Sequence, residues 1–305
     1  MPPLAPGLDY VDLTFLGRPQ IIATAILHGP AGVALVDPGP VRTIDNLTTE
    51  LTRKGIRFED VRHLLITHIH LDHAGAVGTI VERFPHVEVV VHGRGAPHMV
   101  NPAKLLASAG RLYGEDMDTL WGEVKPVPQD RLRVVEGGET LEVAGREVLV
   151  AYTPGHASHH VSYFDSASRV AFVGDTAGIR RGSGSYVMPP TPPPDIDIEA
   201  WRQSEERILA WDPDTLFVTH FGPFHGARQH FQAMFENLSE WSRIVRRLLA
   251  HPSITDEERE RRFIEEAFID LRRRVGDAEA DDYTRAGGLN YSWQGLARYW
   301  KRQTS

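Results

Sequence analysis

The chain alternates short, continuous apolar runs with longer stretches of helical period. Val33-Ala-Leu-Val36 leads into Asp37-Pro-Gly39, and His63-Leu-Leu-Ile-Thr67 leads into a histidine-rich segment ending at Gly75. Glu147-Val-Leu-Val-Ala-Tyr152 precedes Thr153-Pro-Gly-His156, Val170-Ala-Phe-Val173 precedes Gly174-Asp175, and Leu216-Phe-Val-Thr219 precedes His220-Phe-Gly222. Apolar runs of this length predict strands buried on both faces. Because each run ends in a polar residue followed closely by Gly or Pro, the polar groups are expected to converge on one rim.

Between the strands, apolar residues recur at helical spacing. Ile44, Leu47 and Leu51 predict a helix over residues 44–54, and Val77, Ile80, Val81 and Phe84 predict one over 75–84. Residues 97–125 read as a partly helical insertion between a strand at 87–92 and a strand pair at 132–135 and 139–143. Met188-Pro-Pro-Thr-Pro-Pro-Pro-Asp195 is expected to be extended loop, because consecutive prolines join neither a helix nor a ladder. It reads as a stiff wall beside the site or as a plain connector. From residue 198 the pattern turns helical, with segments at 198–209, 228–249, 256–275 and 293–301. Thr255-Asp-Glu-Glu258 has the spacing of a capping box.

Composition narrows the class. The 305 residues suffice for a large core, and 41% hydrophobic with 24% charged residues is ordinary for a globular chain. A formal net charge of −8 disfavours nucleic acid as a partner. The absence of cysteine removes disulfides, thiolate nucleophiles and thiolate-ligated zinc, and fits a cytoplasmic location. Met1-Pro-Pro-Leu-Ala-Pro-Gly7 shows no leader pattern, and no apolar run is long enough to span a membrane.

The chemistry concentrates in His68-Ile-His70-Leu-Asp72-His73. In extended backbone, residues two apart face the same way, so His68 and His70 can reach one ion together. Asp72 and His73 follow at the turn into the helix expected near Gly75, where side chains diverge toward a second ion. Joined by His156, Asp175 and His220 from other strand ends, the cluster is dense enough for two metal ions.

Thr67-His-Ile-His-Leu-Asp-His73, Thr153-Pro-Gly-His156, Gly174-Asp-Thr176 and Thr219-His220, preceded by Val36-Asp-Pro-Gly39, together resemble the metallo-β-lactamase superfamily. The resemblance implies an α/β fold, the four-layer αβ/βα sandwich with metals at one edge. Residues 1–226 would be the catalytic domain, and 227–305 a helical C-terminal extension packed on it. Position by position, it implies a first metal on His68, His70 and His156, a second on Asp72, His73 and His220, and Asp175 bridging both. Zinc is the expected divalent ion, although iron and manganese take the same donors. Asp37 would orient a ligand histidine, and His160 is a candidate for the same duty; His159 is expected to face elsewhere.

The implied activity is a dinuclear metal-dependent hydrolase acting on a small molecule. A hydroxide shared by the ions would attack an ester-like carbonyl, in a thioester or lactone, and Asp72 would relay a proton besides acting as ligand. No Gly-x-Ser-x-Gly elbow offers a serine route. The main secreted lactam-hydrolysing members carry cysteine where Asp175 stands. Many quorum-quenching lactonases carry tyrosine three residues after the bridging aspartate, where this chain has Gly178. The alternatives are a phosphodiesterase of the same fold or a mononuclear-iron persulfide dioxygenase using His68, His156 and Asp175. Arg180 and Arg181 are candidates to grip a substrate carboxylate, with Tyr186 and Met188 as an apolar lip. Gly182-Ser-Gly-Ser185 reads as flexible loop. Core packing is expected of Tyr283, Tyr291, Trp293, Tyr299 and Trp300, ahead of a lid or subunit contact.

Overall fold

The computed structural model describes residues 4–182 and 184–303. The first residues read for a leader, Met1-Pro-Pro, and Ser183 of the expected loop lie outside the described residues. The described strands form two six-stranded sheets. The first holds β1 (Leu8–Asp12), β2 (Ala23–Gly29), β3 (Gly32–Val36), β4 (Val61–Leu65), β5 (Glu88–His92) and β6 (Leu132–Val135), side by side in chain order. The second holds β7 (Thr140–Val143), β8 (Arg146–Tyr152), β9 (Val161–Asp165), β10 (Val170–Phe172), β11 (Thr215–Val218) and β12 (Gly222–His225), again in chain order.

Helices cover the outer faces. Against the first sheet lie α1 (Ile44–Arg53), the single turn α2 (Leu71–Ala74) and α3 (Val77–Arg83), followed by α4 (Ala96–Val100), α5 (Ala103–Tyr113) and α6 (Met117–Leu120) of the insertion. Against the second lie α7 (Ile198–Ala210), α8 (Ala227–Leu249), α9 (Asp256–Val275), α10 (Asp277–Gly287) and α11 (Leu289–Gln303).

Alternation within each strand explains the layering. In β3, Val33 and Leu35 meet the helices while Ala34 and Val36 meet the other sheet; β5 divides Val89 and Val91 from Val90 in the same way. In β11, Leu216 and Val218 face the outer helices and Phe217 faces inward. Both faces of these strands are buried, as their unbroken apolar runs predict. The four-layer αβ/βα sandwich is therefore present.

Three local expectations need correction. The segments near 132–135 and 139–143 do not pair: β6 lies parallel to β5 at the edge of one sheet, and β7 pairs antiparallel with β8 at the edge of the other. The chain between them crosses from sheet to sheet. The helix expected near Gly75 is preceded by α2, so Asp72 and His73 sit in a helical turn with His70 just before it. Gly75 allows that tight entry, since a Cβ there would lie 2.5 Å from the Leu71 carbonyl oxygen. Helix α10 has no counterpart among the expected segments; its buried side chains are only Ala280 and Tyr283, too few to show a period.

At α9 only half of the expected capping box forms: the Thr255 side chain accepts from the Glu258 N–H, while the Glu258 carboxylate bonds Arg261 and Arg262. Residues of α8, α9 and α11, including Phe231, Trp241, Phe263 and Trp293, share one apolar cluster with Ala171, Leu216 and Val218 of the second sheet. Tyr283, Trp293 and Tyr299 are buried in it, and Trp300 packs at its edge. Tyr291 instead meets Tyr113 of the insertion, ring centroids 5.2 Å apart. Among the described residues, no helix is long and apolar enough to cross a membrane.

Candidate metal centre

The strand ends converge. His70 Nδ1 lies 2.9 Å from His68 Nε2 and 3.0 Å from His156 Nε2, so three ring nitrogens from the β4 and β8 ends share one point. Beside them, Asp72 Oδ2 is 3.6 Å from His73 Nε2 and 3.3 Å from His220 Nε2. Asp175, in the turn after β10, divides its oxygens between the two groups. Its Oδ2 is 3.4 Å from His156 Nε2, while Oδ1 is 3.3 Å from His73 Nε2 and 3.5 Å from His220 Nε2.

Hydrogen bonds behind the rings fix which nitrogen is bare. His73 Nδ1 donates to Asp37 Oδ2 at 2.8 Å, His156 Nδ1 to the Pro190 carbonyl at 2.8 Å, and His220 Nδ1 to the Ile21 carbonyl at 2.7 Å. His68 Nδ1 donates to Thr67 Oγ1 at 3.1 Å, because the Thr67 hydroxyl proton goes to Asp37. Each of these four rings thus turns Nε2, the nitrogen left free of a backing hydrogen bond, toward the cluster. His73 Nε2 and Asp175 Oδ1, facing each other, have no hydrogen-bond partner among the described residues. Two buried acceptors in contact are costly, and only a proton or a metal cation between them relieves the contact. The donor set therefore fits divalent metal, and three overlapping groups of ligand atoms meet the geometric requirement: His68 with His70 and His156, His68 with His73 and Asp175, and Asp72 with His73 and His220.

Electrostatics differ between the halves. Burial pushes His70 down to about 4 and His68 well below the ordinary imidazole value. It lowers His156 as well, against the pull of Asp175. For His73, burial also opposes the charge, but Asp72, Asp175 and Asp37 outweigh it and lift the ring well above its ordinary value. His220 is raised as Asp175 and Asp72 overcome its burial. Burial disfavours ionised Asp72 too, yet His73 and His220 hold it down to about 2.

Asp37 is the hub behind the site. Fully buried at the end of β3, it accepts from Thr67 N–H at 2.9 Å, Thr67 Oγ1 at 2.7 Å, His73 Nδ1 at 2.8 Å and Thr219 Oγ1 at 2.8 Å. His160 also stands behind the cluster. Its Nε2 accepts from the Asp175 N–H at 3.3 Å, and its ring stacks on His68 with centroids 4.9 Å apart. Gly174 permits this close arrangement: at φ +45°, a Cβ would lie 2.5 Å from Thr67 Oγ1 and 2.7 Å from His160 Nε2. Trp201 of α7 closes the back, donating from Nε1 to the Thr176 carbonyl at 2.6 Å and meeting the His156 ring edge-on.

The four residues expected to contact substrate are engaged in other contacts. Arg181 is buried behind the bridging turn, bonded to the Gln20 carbonyl and to Asp282 Oδ2 at 2.9 Å. Arg180 donates to the Gly184 carbonyl and lies 4.4 Å over the Phe224 ring. Tyr186 packs against Tyr283, and Met188 is fully buried, its backbone paired with Ile179. The segment after Gly178 packs against the C-terminal helices: Tyr186 and Met188 share an apolar cluster with residues of α8 and α10, and the Arg181 N–H donates to the Tyr283 hydroxyl at 2.9 Å.

Instead, a cavity of about 590 Å³ opens over His70. Pro192, Pro193 and Pro194 form one wall, so the proline run does border the site. His159, expected to face elsewhere, lines this cavity, its ring 5.6 Å from that of His70. Tyr113 at the end of α5 and Gln294 and Arg298 of α11 also line it. Nothing in the sequence singles these residues out. The helical spacing of Lys104, Ser108 and Arg111 is the available signal, but it marks an exposed face as readily as a cavity wall.

Comparison with known proteins agrees with this architecture. The sequence pattern described as "Metallo-beta-lactamase superfamily" matches residues 17–220. The metallo-beta-lactamase fold-containing protein ST1585 of Sulfurisphaera tokodaii is 26% identical over 219 residues, covering 71% of this chain and 78% of that one. Its crystal structure superposes with a TM-score of 0.68 at 23% identity, over 95% of this chain and 98% of that chain. The metallo-beta-lactamase family protein TTHA1429 of Thermus thermophilus gives a TM-score of 0.73 at 23% identity, over 99% and 95% of the two chains. A hydroxyacylglutathione hydrolase of Synechococcus is 26% identical over 189 residues, 61% of this chain and 60% of that protein.

Proposed function

The chain belongs to the metallo-β-lactamase superfamily, and from that premise we propose a hydrolase with two metal ions, zinc foremost, that opens an ester-like carbonyl, a thioester before a lactone. One observation carries the count of two: the oxygens of Asp175 divide between a group holding His156 and a group holding His73 and His220. A mononuclear-iron reading leaves Asp72, His73 and His220 assembled without a task. Support for a thioester comes from the hydroxyacylglutathione hydrolase among the relatives. The catalytic unit is residues 1–226, with residues 227–305 as a helical extension that supplies one cavity wall.

When bound, such ions activate water near neutral pH and stabilise the oxyanion that develops on the attacked carbonyl. The chain's own residues do the rest. Asp37, His160 and Trp201 hold the ligand side chains in place, so little reorganisation remains for the reaction. His70 and Asp72 are partly exposed, unlike the fully enclosed His68 and His73. Asp72 is also ionised at neutral pH, which suits it to take a proton and pass it to the leaving group.

The test is a metal-defined preparation assayed on thioesters, lactones and bis(p-nitrophenyl) phosphate. The expected result is close to two ions per chain and thioester turnover above the others, with Asp72→Ala losing about 100-fold or more in kcat. A single tightly held iron with oxygen uptake on a persulfide, or a phosphodiester rate exceeding every acyl substrate, overturns the reading.

A further inference from the structure

The cavity over His70 is strongly cationic. Arg94, Lys104, Arg111 and Arg298 line it, with Asp195 as the one carboxylate on its wall. Asp195 is already engaged, accepting from the Ser158 N–H at 3.2 Å and from Ser158 Oγ at 2.5 Å. Elsewhere cations are commonly paired with carboxylates, such as Arg146 with Asp165 at 2.8 Å and Lys54 with Asp9 at 2.9 Å. Among the described residues, none of the four cavity cations is in an ion pair. Their charge stands in a chain of net charge −8, whose overall field repels anions. Concentrating uncompensated positive charge in a cavity that opens on the ligand cluster is informative on that background.

Geometry adds a length. Lys104 and Arg111 are seven residues apart on α5, two helical turns and about 10 Å. Arg298 belongs to α11, one turn beyond Gln294, while Arg94 follows β5. Cations from three separate parts of the fold, two of them that far apart on one helix, suit an extended anionic group better than a single small carboxylate.

We propose that the substrate bears an anionic group remote from the bond that is cut, phosphate or carboxylate, carried on the leaving thiol of a thioester and held by Arg94, Lys104, Arg111 and Arg298. This rests on the hydrolase reading above. In the reaction, water adds across the C–S bond: the hydroxyl goes to the acyl carbon, the proton to the departing sulfur. The acidic thiol then leaves through the cationic walls. Arginine forks on phosphate or carboxylate make charge-assisted hydrogen bonds, and bonds of that kind correspond to about 10- to 100-fold in affinity each.

The experiment has two readouts. Acetyl thioesters of coenzyme A, glutathione and the uncharged thiol N-acetylcysteamine are compared in the metal-loaded protein. Calorimetry measures binding of S-methyl coenzyme A and S-methylglutathione, thioethers that cannot be hydrolysed. The expected result is that at least one acidic thioester exceeds the neutral one by about 10-fold or more in kcat/KM. Its advantage should shrink as salt rises, and its thioether should bind. Arg298→Gln should cut the ratio of acidic to neutral kcat/KM by about 10-fold, and Lys104→Gln serves if that variant misfolds. Arg202→Gln, in a cleft between α7 and α8 away from the cluster, should leave the ratio unchanged. The phosphate and carboxylate thiols identify which anion is meant. Equal rates on charged and neutral thioesters, with no thioether binding, overturn this inference and leave the hydrolase standing. Thioether binding that depends on Arg298, without turnover of any acyl substrate, sustains the anion site and overturns the hydrolase.

Discussion

Asp37→Asn changes one atom at the hub behind the cluster, and its consequence can be worked out from the contacts. Asp37 accepts four hydrogen bonds, through Oδ1 from the Thr67 N–H and through Oδ2 from Thr67 Oγ1, Thr219 Oγ1 and His73 Nδ1. With the amide oxygen kept on the Thr67 N–H, the new NH2 faces His73. The threonine hydroxyls can rotate to accept from it, but the ring can respond only by moving its proton to Nε2, the atom turned toward the cluster. Flipping the amide restores His73 and sets NH2 against the Thr67 N–H. Either arrangement forfeits a charge-assisted bond, about 1.5–3 kcal/mol, which agrees with the roughly 10- to 100-fold typical for residues that orient metal ligands. The assay titrates zinc into chelator-stripped protein against a chromophoric competitor. One ion should weaken by about 10- to 100-fold, while the ion on His68, His70 and His156 stays close to wild type. Two ions bound at wild-type affinity in a folded Asp37→Asn protein would refute the reasoning.

Gly174→Ala places a Cβ 2.5 Å from Thr67 Oγ1 on a backbone at φ +45°, so it should cost about 1–3 kcal/mol. That is a fall in Tm of about 2–4 °C per kcal/mol by calorimetry; an unchanged Tm contradicts the close packing. Acid should remove the metals in order. The raised pKa values of His73 and His220 in the metal-free protein mean that protons compete for these rings as pH falls through those values. The lowered values of His68, His70 and His156 leave that group unprotonated further into acid. Equilibrium dialysis from about pH 8 to 5 should show one ion leaving before the other, and simultaneous loss counts against the split. Tyr283→Phe deletes a hydroxyl that accepts from the Arg181 N–H and donates to the Tyr186 carbonyl, both at 2.9 Å. It should cost about 1–3 kcal/mol if α10 fastens the segment after the bridging turn, and a neutral result by denaturant titration shows that it does not.

The ligand cluster is legible in the sequence because its signal is local and dense. Four donor side chains within six residues, placed just after an apolar run, seldom amount to an ordinary surface turn, and the run itself announces a doubly buried strand. Asp175 and His220 are legible only in company, each at the end of its own strand. What fails is everything set by direction in space. Arg180, Arg181 and Tyr186 lie close to Asp175 in sequence, and nothing in their identity reveals that their side chains reach His230, Asp282 and Tyr283 of the tail helices. Conversely, Arg298 is 123 residues beyond Asp175 by number and faces the same cavity as His70. His159 departs from expectation for a related reason: the backbone of 156–160 is irregular rather than extended, so its side chains follow no period of two.

Each half of the cluster draws ligands from both sheets: His68 and His70 follow β4 while His156 follows β8, and His73 faces His220 across the same divide. Metal could therefore be what holds the sheets together at this edge, or it could enter a cradle that the protein has already built. The bonds nearby favour the second. The Val161 N–H donates to the Thr67 carbonyl at 2.8 Å, the Ala23 N–H to the Thr219 carbonyl at 2.8 Å, and the Tyr163 hydroxyl to the Ile66 carbonyl at 2.9 Å. These bonds join the sheets at residues next to the ligands and need no ion. Chelation then removes only the stabilisation that linkage supplies, about 4 kcal/mol per ion at a free concentration roughly a thousand times Kd. Stripped protein should thus melt about 8–16 °C lower per ion at about 2–4 °C per kcal/mol, still in one cooperative step, with native near-UV circular dichroism before the transition. A stripped protein that keeps its helices but loses the near-UV signal and binds a hydrophobic dye would show that the ions build the cradle, and the argument for a preformed site would fall with it.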